Sequence, residues 1–440
     1  MEERIARDGV SSMERVMQGF DGEPDFRVTR VWAKNFRSIA DVSFELDPLT
    51  ILVGPNASGK SNLLDILRFI KDALRDLEAA VSRRQGMEGV ARHEAGDGDL
   101  DIEMGVAAVM RSRYAEGGYY SVEYGFTLAS IGNGGYRVSR EYGKVREGGD
   151  SVVAEFMIED GKPEASEVFI VGAWHSLSNY DVGLLIDFDT DSLAFPLIVR
   201  ASRQLVRDAE ISGRAASSYG GLREFHRKLT GMRFYHIFPN TIREPQRSSN
   251  ALILEEDAEN MASVIRGLDR VGAPAMARLR EDVGLLMPGV SDIGVDAVGG
   301  YLVVKLKRGA IAGDPWQDLS MESDGTIRLL GLVVALCQQP YLPVIGIEEP
   351  ELTAHPGALA ALADMLNEAA RRSQVIVTTH SPDLIDFLTN YRVVESLRIV
   401  ELDGGVTTVR QVGDNQVKAV KKHLFSPGEL YRMGELTARR

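Results

Sequence analysis

Little in the sequence places it outside an ordinary soluble compartment. A single cysteine, Cys337, excludes an intramolecular disulfide and any cysteine-based zinc cage. No stretch approaches the roughly 20 apolar residues that a membrane-spanning helix needs. The opening, MEERIARDGVSSMERVMQGFDGEPDFR, is polar and carries acids, so it reads as neither a signal peptide nor a transit peptide. Cytoplasmic residence is the resulting expectation. Positive charge is in deficit too, with 50 Lys and Arg against 64 Asp and Glu, a net charge of −14. That argues against an overall basic nucleic-acid binder, because neutralising phosphates takes clustered cations. There is no H-E-x-x-H, no cysteine pair, no G-x-S-x-G elbow, no internal repeat and no heptad run long enough for coiled-coil arms. His93, His175, His226, His236 and His423 are scattered and read as structural. Asp187, Asp189 and Asp191 alternate, but no EF-hand glycine follows, so a solvated strand or turn is expected there.

What is present describes a globular protein. The 440 residues are 44% hydrophobic and 26% charged, enough for one large or two moderate domains. Residues 1–26 read as a loosely docked extension. From Arg27, three β-like runs follow, VTRVWAKNF, VSFEL and LTILVG, and helical apolar spacing then extends from Ser61 to Val81. Between about 98 and 158, alternating segments separated by Gly-rich turns predict an antiparallel sheet. Residues 160–250 are mixed. ENMASVIRGLDR and AMARLREDVGLL read as helices, and GGYLVVKLKRG as a strand. From GTIRLLGLVVALCQQP onward, apolar helices alternate with the buried strands LPVIGIEE, QVIVTT and SLRIVEL, which implies a parallel sheet with crossover connections.

Two constellations carry chemistry. LTILVGPNASGKSNLLDIL contains Gly54 to Ser61 in the pattern G-x-x-x-x-G-K-S, with an apolar strand before it and a helix after. Gly54 and Gly59 allow tight turns and close backbone approach, so in the loop Pro55–Asn56–Ala57–Ser58 the amides that follow Pro55 can surround phosphate oxygens. Lys60 supplies a point charge, Ser61 a hydroxyl for Mg²⁺, and the helix from Asn62 onward a positive N-terminus. The segment is read as a nucleotide site. Further on, VIGIEEPE puts Glu348 and Glu349 at the end of an apolar strand. An acidic turn closed by Pro350 is the plain alternative. An ATPase needs a carboxylate near Mg²⁺ and a group that activates water, and the pair offers Glu348 for the metal and Glu349 for the water. Thirty-one residues after Glu349, QVIVTTHSP brings His380 to another strand tip. Alone it would be a satisfied strand-end histidine; with the phosphate loop it can bond the γ-phosphate or the attacking water.

Together these motifs resemble an ABC-type ATPase head of the SMC/RecF-like class, and more narrowly the compact bacterial ATPase group labelled AAA_21. AKNFRSIADVSFEL is similar to that class's first strands, including Phe36-Arg37-Ser38, and LSMESDGTIRLLGLVVAL to its signature segment, with Ser323-Asp324-Gly325-Thr326 in the signature position. FYHIFPNTIREPQ, ENMASVIRGL and SPGELYRMGEL resemble the compact group as well, so the likeness spans about residues 28–440. It implies an α/β fold with a mixed or parallel P-loop core sheet, an antiparallel β subdomain and an inserted helical signature lobe. The division expected is 1–26, 27–158 with the P-loop, 159–315 as the inserted lobe, and 316–440 with signature, Walker B and H-loop. It implies Mg²⁺ and ATP as cofactors, Arg37 beside the nucleotide, and a dimer or higher oligomer in which Ser323, Asp324, Gly325 and Thr326 close over the partner's ATP.

The chain also departs from the class. Most ABC ATPases carry Asp where Glu348 stands, although the compact group commonly has Glu. His355 falls where the D-loop Asp usually sits. Gln85, in RRQGMEG, is the nearest candidate for the Q-loop glutamine. Related overcoming-lysogenization-type nucleases fuse a Toprim domain to such a head; with about 50 residues after DLIDFL, an in-chain nuclease is not expected. The functional expectation is an ATPase switch that controls a separately encoded effector, such as a nuclease or toxin of a defence-type system. A RecF-like ATPase clamping duplex DNA is the alternative, through the modest basic clusters RVTRVWAKNFR and SRRQ, and a nucleotide-dependent scaffold is a third.

Overall fold

The computed structural model describes residues 24–92, 100–111, 118–132, 134–147, 151–160, 167–170, 173–176, 191–200, 214–309, 316–352, 354–389 and 394–436. His93, Asp187, Asp189, the side chain of His175 and most of the N-terminal extension lie outside the described residues. Asp191 is an exposed turn residue. The chain forms two compact units, each gathered from three stretches: Met1–Asp47, Ala57–Met232 and Val400–Val409 in one, Pro48–Asn56, Arg233–Ile399 and Arg410–Arg440 in the other.

The first unit is built on an eight-stranded antiparallel sheet. Its strands are β1 (Phe26–Phe36), β2 (Ile39–Glu45), β4 (Ile102–Arg111), β5 (Tyr119–Gly132), β6 (Gly135–Glu147), β7 (Ser151–Glu159), β8 (Glu167–Ile170) and β9 (Ala173–Ser176). They run in the order β2-β1-β4-β5-β6-β7-β8-β9. Helix α1 (Lys60–Arg75) buries Leu63, Leu64, Ile66, Leu67, Phe69 and Ile70, the residues whose spacing predicts it. Phe69 meets Phe36 and Phe126 at ring-centroid distances of 5.8 and 6.4 Å. The helix expected to run on to Val81 stops at Asp76, which is extended (φ −165°, ψ 104°). The Asp76 carboxylate accepts a 2.9 Å bond from the Ala79 amide and so caps a separate helix, α2 (Leu77–Ser82). A side chain that can satisfy orphan amides outweighs unbroken apolar periodicity at that point.

The second unit holds a parallel sheet. Strand β3 (Leu49–Val53) lies between β16 (Gln374–Thr379) and β17 (Leu397–Asp403), and β15 (Val344–Glu348) lies between β16 and β10 (Arg233–Tyr235). Every residue of β3 and β16 is buried, as expected of strands covered on both faces. The crossover from β15 to β16 is helix α9 (Leu359–Ala369), and α10 (Pro382–Thr389) follows β16. A separate small sheet pairs β13 (Tyr301–Arg308) with β11 (Gln246–Arg247), β12 (Val290–Val298) and β14 (Trp316–Asp318). Helices α6 (Met261–Val271), α7 (Ala273–Leu286) and α8 (Asp324–Cys337) complete the unit, and their apolar faces share one core with the parallel sheet.

Candidate functional site

The register of the parallel sheet puts three predicted motifs on one edge. Glu348 stands opposite Thr378, Thr378 opposite Leu52, and Thr379 opposite Val53. The residues that follow, Glu349, His380 and Gly54, therefore leave the sheet at the same C-terminal level. The paired glutamates are two strand spacings, about 10 Å, from the strand that feeds the phosphate loop, and His380 lies between them. Parallel α/β sheets bind ligands at this end.

Glu349 leaves its strand in the left-handed region, with φ 45°. A non-glycine residue there costs about 1–2 kcal/mol, so neighbouring contacts must hold it. Its amide donates to the Thr378 carbonyl at 2.9 Å. From α8, the Arg328 guanidinium donates to the carbonyls of Glu348 at 3.2 Å and Glu349 at 3.4 Å. Burial pulls the Arg328 pKa down, while the charges of Glu349, Glu351 and Glu348 work to raise it. An arginine keeps its proton in such a setting, so it is a fixed positive charge behind the acidic tip.

His380 is bracketed by carboxylates. Its Nδ1 lies 3.4 Å from Glu349 Oε1 and 3.7 Å from Glu351 Oε1. Glu351 is the more enclosed of the two, with 8% of its side chain exposed against 27% for Glu349. The apolar-run logic that finds Glu348 and Glu349 assigns nothing to Glu351 or Arg328, although the first closes VIGIEEPE and the second lies inside LSMESDGTIRLLGLVVAL.

The loop that begins at Gly54 crosses into the first unit at Ala57. Gly54 is buried, Pro55, Asn56 and Ala57 are exposed, and Ser58 and Lys60 are buried again. Ala57 and Gly59 have φ of 62° and 99°. Helix α1 starts at Lys60 with no side-chain cap and no acidic residue in its first turn, which leaves its N-terminus suited to an anion. Ser61 is exposed and Asn62 half-buried. Arg37, at φ 51°, lies 3.0 Å from the Asp65 carboxylate and donates to Asn62 Oδ1 at 3.4 Å. Burial would raise the Asp65 pKa, but Arg84, Arg37 and Arg68 outweigh it and hold the carboxyl below its usual range. Gln85 is an exposed turn residue with φ 66°.

The signature segment sits at the start of α8. The Ser323 hydroxyl accepts a 3.2 Å bond from the Thr326 amide and shares a 2.9 Å hydrogen bond with the Thr326 hydroxyl, so it is the helix N-cap. Asp324 pairs with Arg243, whose guanidinium also donates to the carbonyls of Ser320 at 2.7 Å and Glu322 at 3.1 Å. Ser323 and Asp324 are exposed and Gly325 and Thr326 half-exposed, leaving the turn open to solvent. His355 is exposed as well, and its Nδ1 accepts the Gly357 amide at 3.1 Å in the turn before α9.

Comparison with known proteins finds ATPase families in two stretches of the chain. Residues 186–386, which hold the signature, both glutamates and His380, match the family described as an AAA domain, putative AbiEii toxin, type IV toxin–antitoxin system. Residues 27–111, which hold Arg37 and the phosphate loop, match the AAA ATPase domain family. Both matches are to AAA-type ATPase domains. Among solved structures, the chain is similar to the SMC head domain from Thermotoga maritima, at 13% identity and a TM-score of 0.40 over 88% of this chain and 99% of that one. It is also similar to the Smc head with an extended coiled coil from Pyrococcus furiosus, solved with the C-terminal domain of ScpA, at 14% identity and 0.46 over 91% and 99%. No curated protein matches the sequence. No helix of the described residues is long and apolar enough to cross a membrane.

Proposed function

We propose that this chain binds Mg²⁺-ATP, closes into a dimer around it, and hydrolyses it to reset a switch that controls a separate effector protein. The observation that carries the reading is the shared strand edge, where Glu349 and His380 leave the sheet beside the strand of the phosphate loop. Gly54 to Asn62 and Arg37 are assigned to the nucleotide, with Lys60 as the phosphate-binding charge. Ser61 and Glu348 are assigned to Mg²⁺, which polarises the phosphates when bound. Glu349 polarises the attacking water, and His380, between that carboxylate and the phosphate-loop strand, hydrogen-bonds the γ-phosphate or the same water. Ser323 to Thr326 serve the partner's nucleotide, and His355 lies toward the dimer interface. The toxin–antitoxin description of the matching family favours an effector-controlling role over a housekeeping one.

Glu349→Gln tests this directly. Turnover should fall by about two to three orders of magnitude, the scale of losing a group that acts on the attacking water. ATP affinity should stay near wild type and an ATP-dependent dimer should accumulate in size-exclusion chromatography. Wild-type turnover in this variant would sink the water-polarising role; an unchanged monomer at saturating ATP would sink the dimer.

A further inference from the structure

A threonine far along the chain bonds to the phosphate loop. Thr407, on β18 (Val406–Gln411), is fully buried. Its hydroxyl lies 3.1 Å from the Ser58 carbonyl and 2.7 Å from the Ser38 hydroxyl. Its amide donates to the Ser38 carbonyl at 2.8 Å, and Asn62 Nδ2 donates to Ser38 Oγ at 2.6 Å. All four residues belong to the first unit.

The donors fix the direction of this chain. A carbonyl only accepts, so the one hydroxyl proton of Thr407 goes to Ser58. Thr407 Oγ1 must then accept from Ser38, and Ser38 accepts in turn from Asn62. The relay runs from Asn62 through Ser38 and Thr407 to the Ser58 carbonyl, joining the β1–β2 turn, the first turn of α1 and a strand 349 residues beyond Ser58.

Two consequences follow for the loop. In a trans peptide the carbonyl and the next amide point in opposite directions, so pinning the Ser58 carbonyl toward Thr407 turns the Gly59 N–H to the other side. The second concerns Gly59 itself. A Cβ there would lie 2.0 Å from Thr407 Oγ1 and 2.7 Å from its Cγ2, on top of an unfavourable φ of 99°. The absence of a side chain at 59 therefore serves the threonine behind the loop as well as a phosphate in front of it.

We propose that Thr407 is a positioning residue for the phosphate loop, orienting the Ser58–Gly59 peptide so that the Gly59 amide is presented to the nucleotide. This rests on the nucleotide-binding reading of Gly54–Ser61. The test uses the full chain, a fluorescent ATP analogue and thermal unfolding of the nucleotide-free protein. Wild type and Lys60→Ala examine the reading itself: the first should bind and the second should not, and failure of either sinks that reading and the clamp with it. Thr407→Val, which keeps the shape and loses the hydroxyl, should weaken binding about tenfold, while Thr407→Ser should stay within about twofold of wild type. A purely structural role would lower the unfolding temperature of Thr407→Val yet leave the folded protein's affinity unchanged. That result, or equal impairment of the Ser and Val variants, overturns the proposal. Should Thr407→Val fail to fold, Ser38→Ala removes the donor to Thr407 instead. It should weaken binding while Thr407→Ser does not, and wild-type affinity in Ser38→Ala likewise overturns it.

Discussion

Glu351 holds His380 by the backbone: its Oε1 accepts the His380 amide at 3.3 Å and the Thr379 hydroxyl at 2.6 Å. The Thr379 hydroxyl accepts the Ser381 amide at 3.0 Å, so three consecutive residues at the end of β16 are tied to one enclosed carboxylate. The same oxygen lies 3.7 Å from His380 Nδ1, and Glu349 Oε1, a second acidic neighbour, lies 3.4 Å from it. Glu351 thus sets where the imidazole stands without needing to meet the nucleotide.

Removing that acceptor should therefore affect turnover more than binding. Glu351→Ala is expected to lower kcat about tenfold, the scale of one lost charged hydrogen bond, with KM for ATP nearly unchanged. Glu351→Gln keeps an oxygen for both donors and should recover most of the rate. Steady-state ATPase kinetics decide it, and a rise in KM without a fall in kcat would remove Glu351 from the support of His380.

Arg328 supports the neighbouring tip from the other direction. Its donors reach the carbonyls of Glu348 and Glu349, the second in a left-handed conformation that the chain would otherwise leave. Arg328→Ala removes one donor from each carbonyl, although that of Glu349 still accepts the Leu352 amide at 3.1 Å, and takes a nearby cation from three acidic side chains. A stability loss of about 1–3 kcal/mol in urea unfolding is expected, with a larger fractional loss of turnover than of ATP affinity. An Arg328→Ala protein with unchanged stability and kcat would refute this.

The parallel strands were legible because strands covered on both faces read as short unbroken apolar runs, and LTILV, VIGIE and QVIVTT are such runs. The motif positions were legible because each sits where a strand ends. Three features were not. The first three β-like runs look continuous, yet β1 and β2 join the antiparallel sheet and β3 the parallel one, a choice made by partners far along the chain. The break at Asp76 came from a side-chain cap that periodicity does not register. The Ser38–Thr407 bond joins residues 369 positions apart, and two ordinary hydroxyl residues carry no pattern that would announce it.

The basic clusters that would suit a duplex are largely engaged within the chain. Arg30 lies 3.9 Å from Glu123, Lys34 3.2 Å from Glu103 and Arg37 3.0 Å from Asp65. Arg84 of SRRQ is buried between Asp65 at 2.8 Å and Asp72 at 3.3 Å. Cations already facing carboxylates release few counterions when a duplex approaches. Duplex DNA at about 50 mM salt should therefore change ATP turnover by less than about twofold. Strong stimulation that collapses as salt rises would restore the RecF-like alternative.

The last prediction concerns pH. Glu141 is fully buried in the antiparallel sheet, where Oε1 accepts the Tyr124 hydroxyl at 2.8 Å and the Phe195 amide at 3.0 Å, and Oε2 accepts the Ala194 amide at 2.5 Å. The rings of Tyr124, Phe156 and Phe195 pack together around it, at centroid distances of 5.0 and 5.4 Å. Burial raises its pKa from 4.5 to about 7, against the three hydrogen bonds, which lower it. The folded protein therefore holds a proton that the unfolded chain has already lost between those values. Stability from this group is fully present below about 4.5, falls as pH rises, and is gone above about 7, a change of about 3 kcal/mol. In Glu141→Gln, which keeps an acceptor and cannot ionise, that component should vanish. Urea unfolding from pH 5 to 8 should accordingly show a downward slope in wild type that flattens in the variant. Parallel slopes would mean that Glu141 stays charged in the folded protein and that its three donors outweigh its burial.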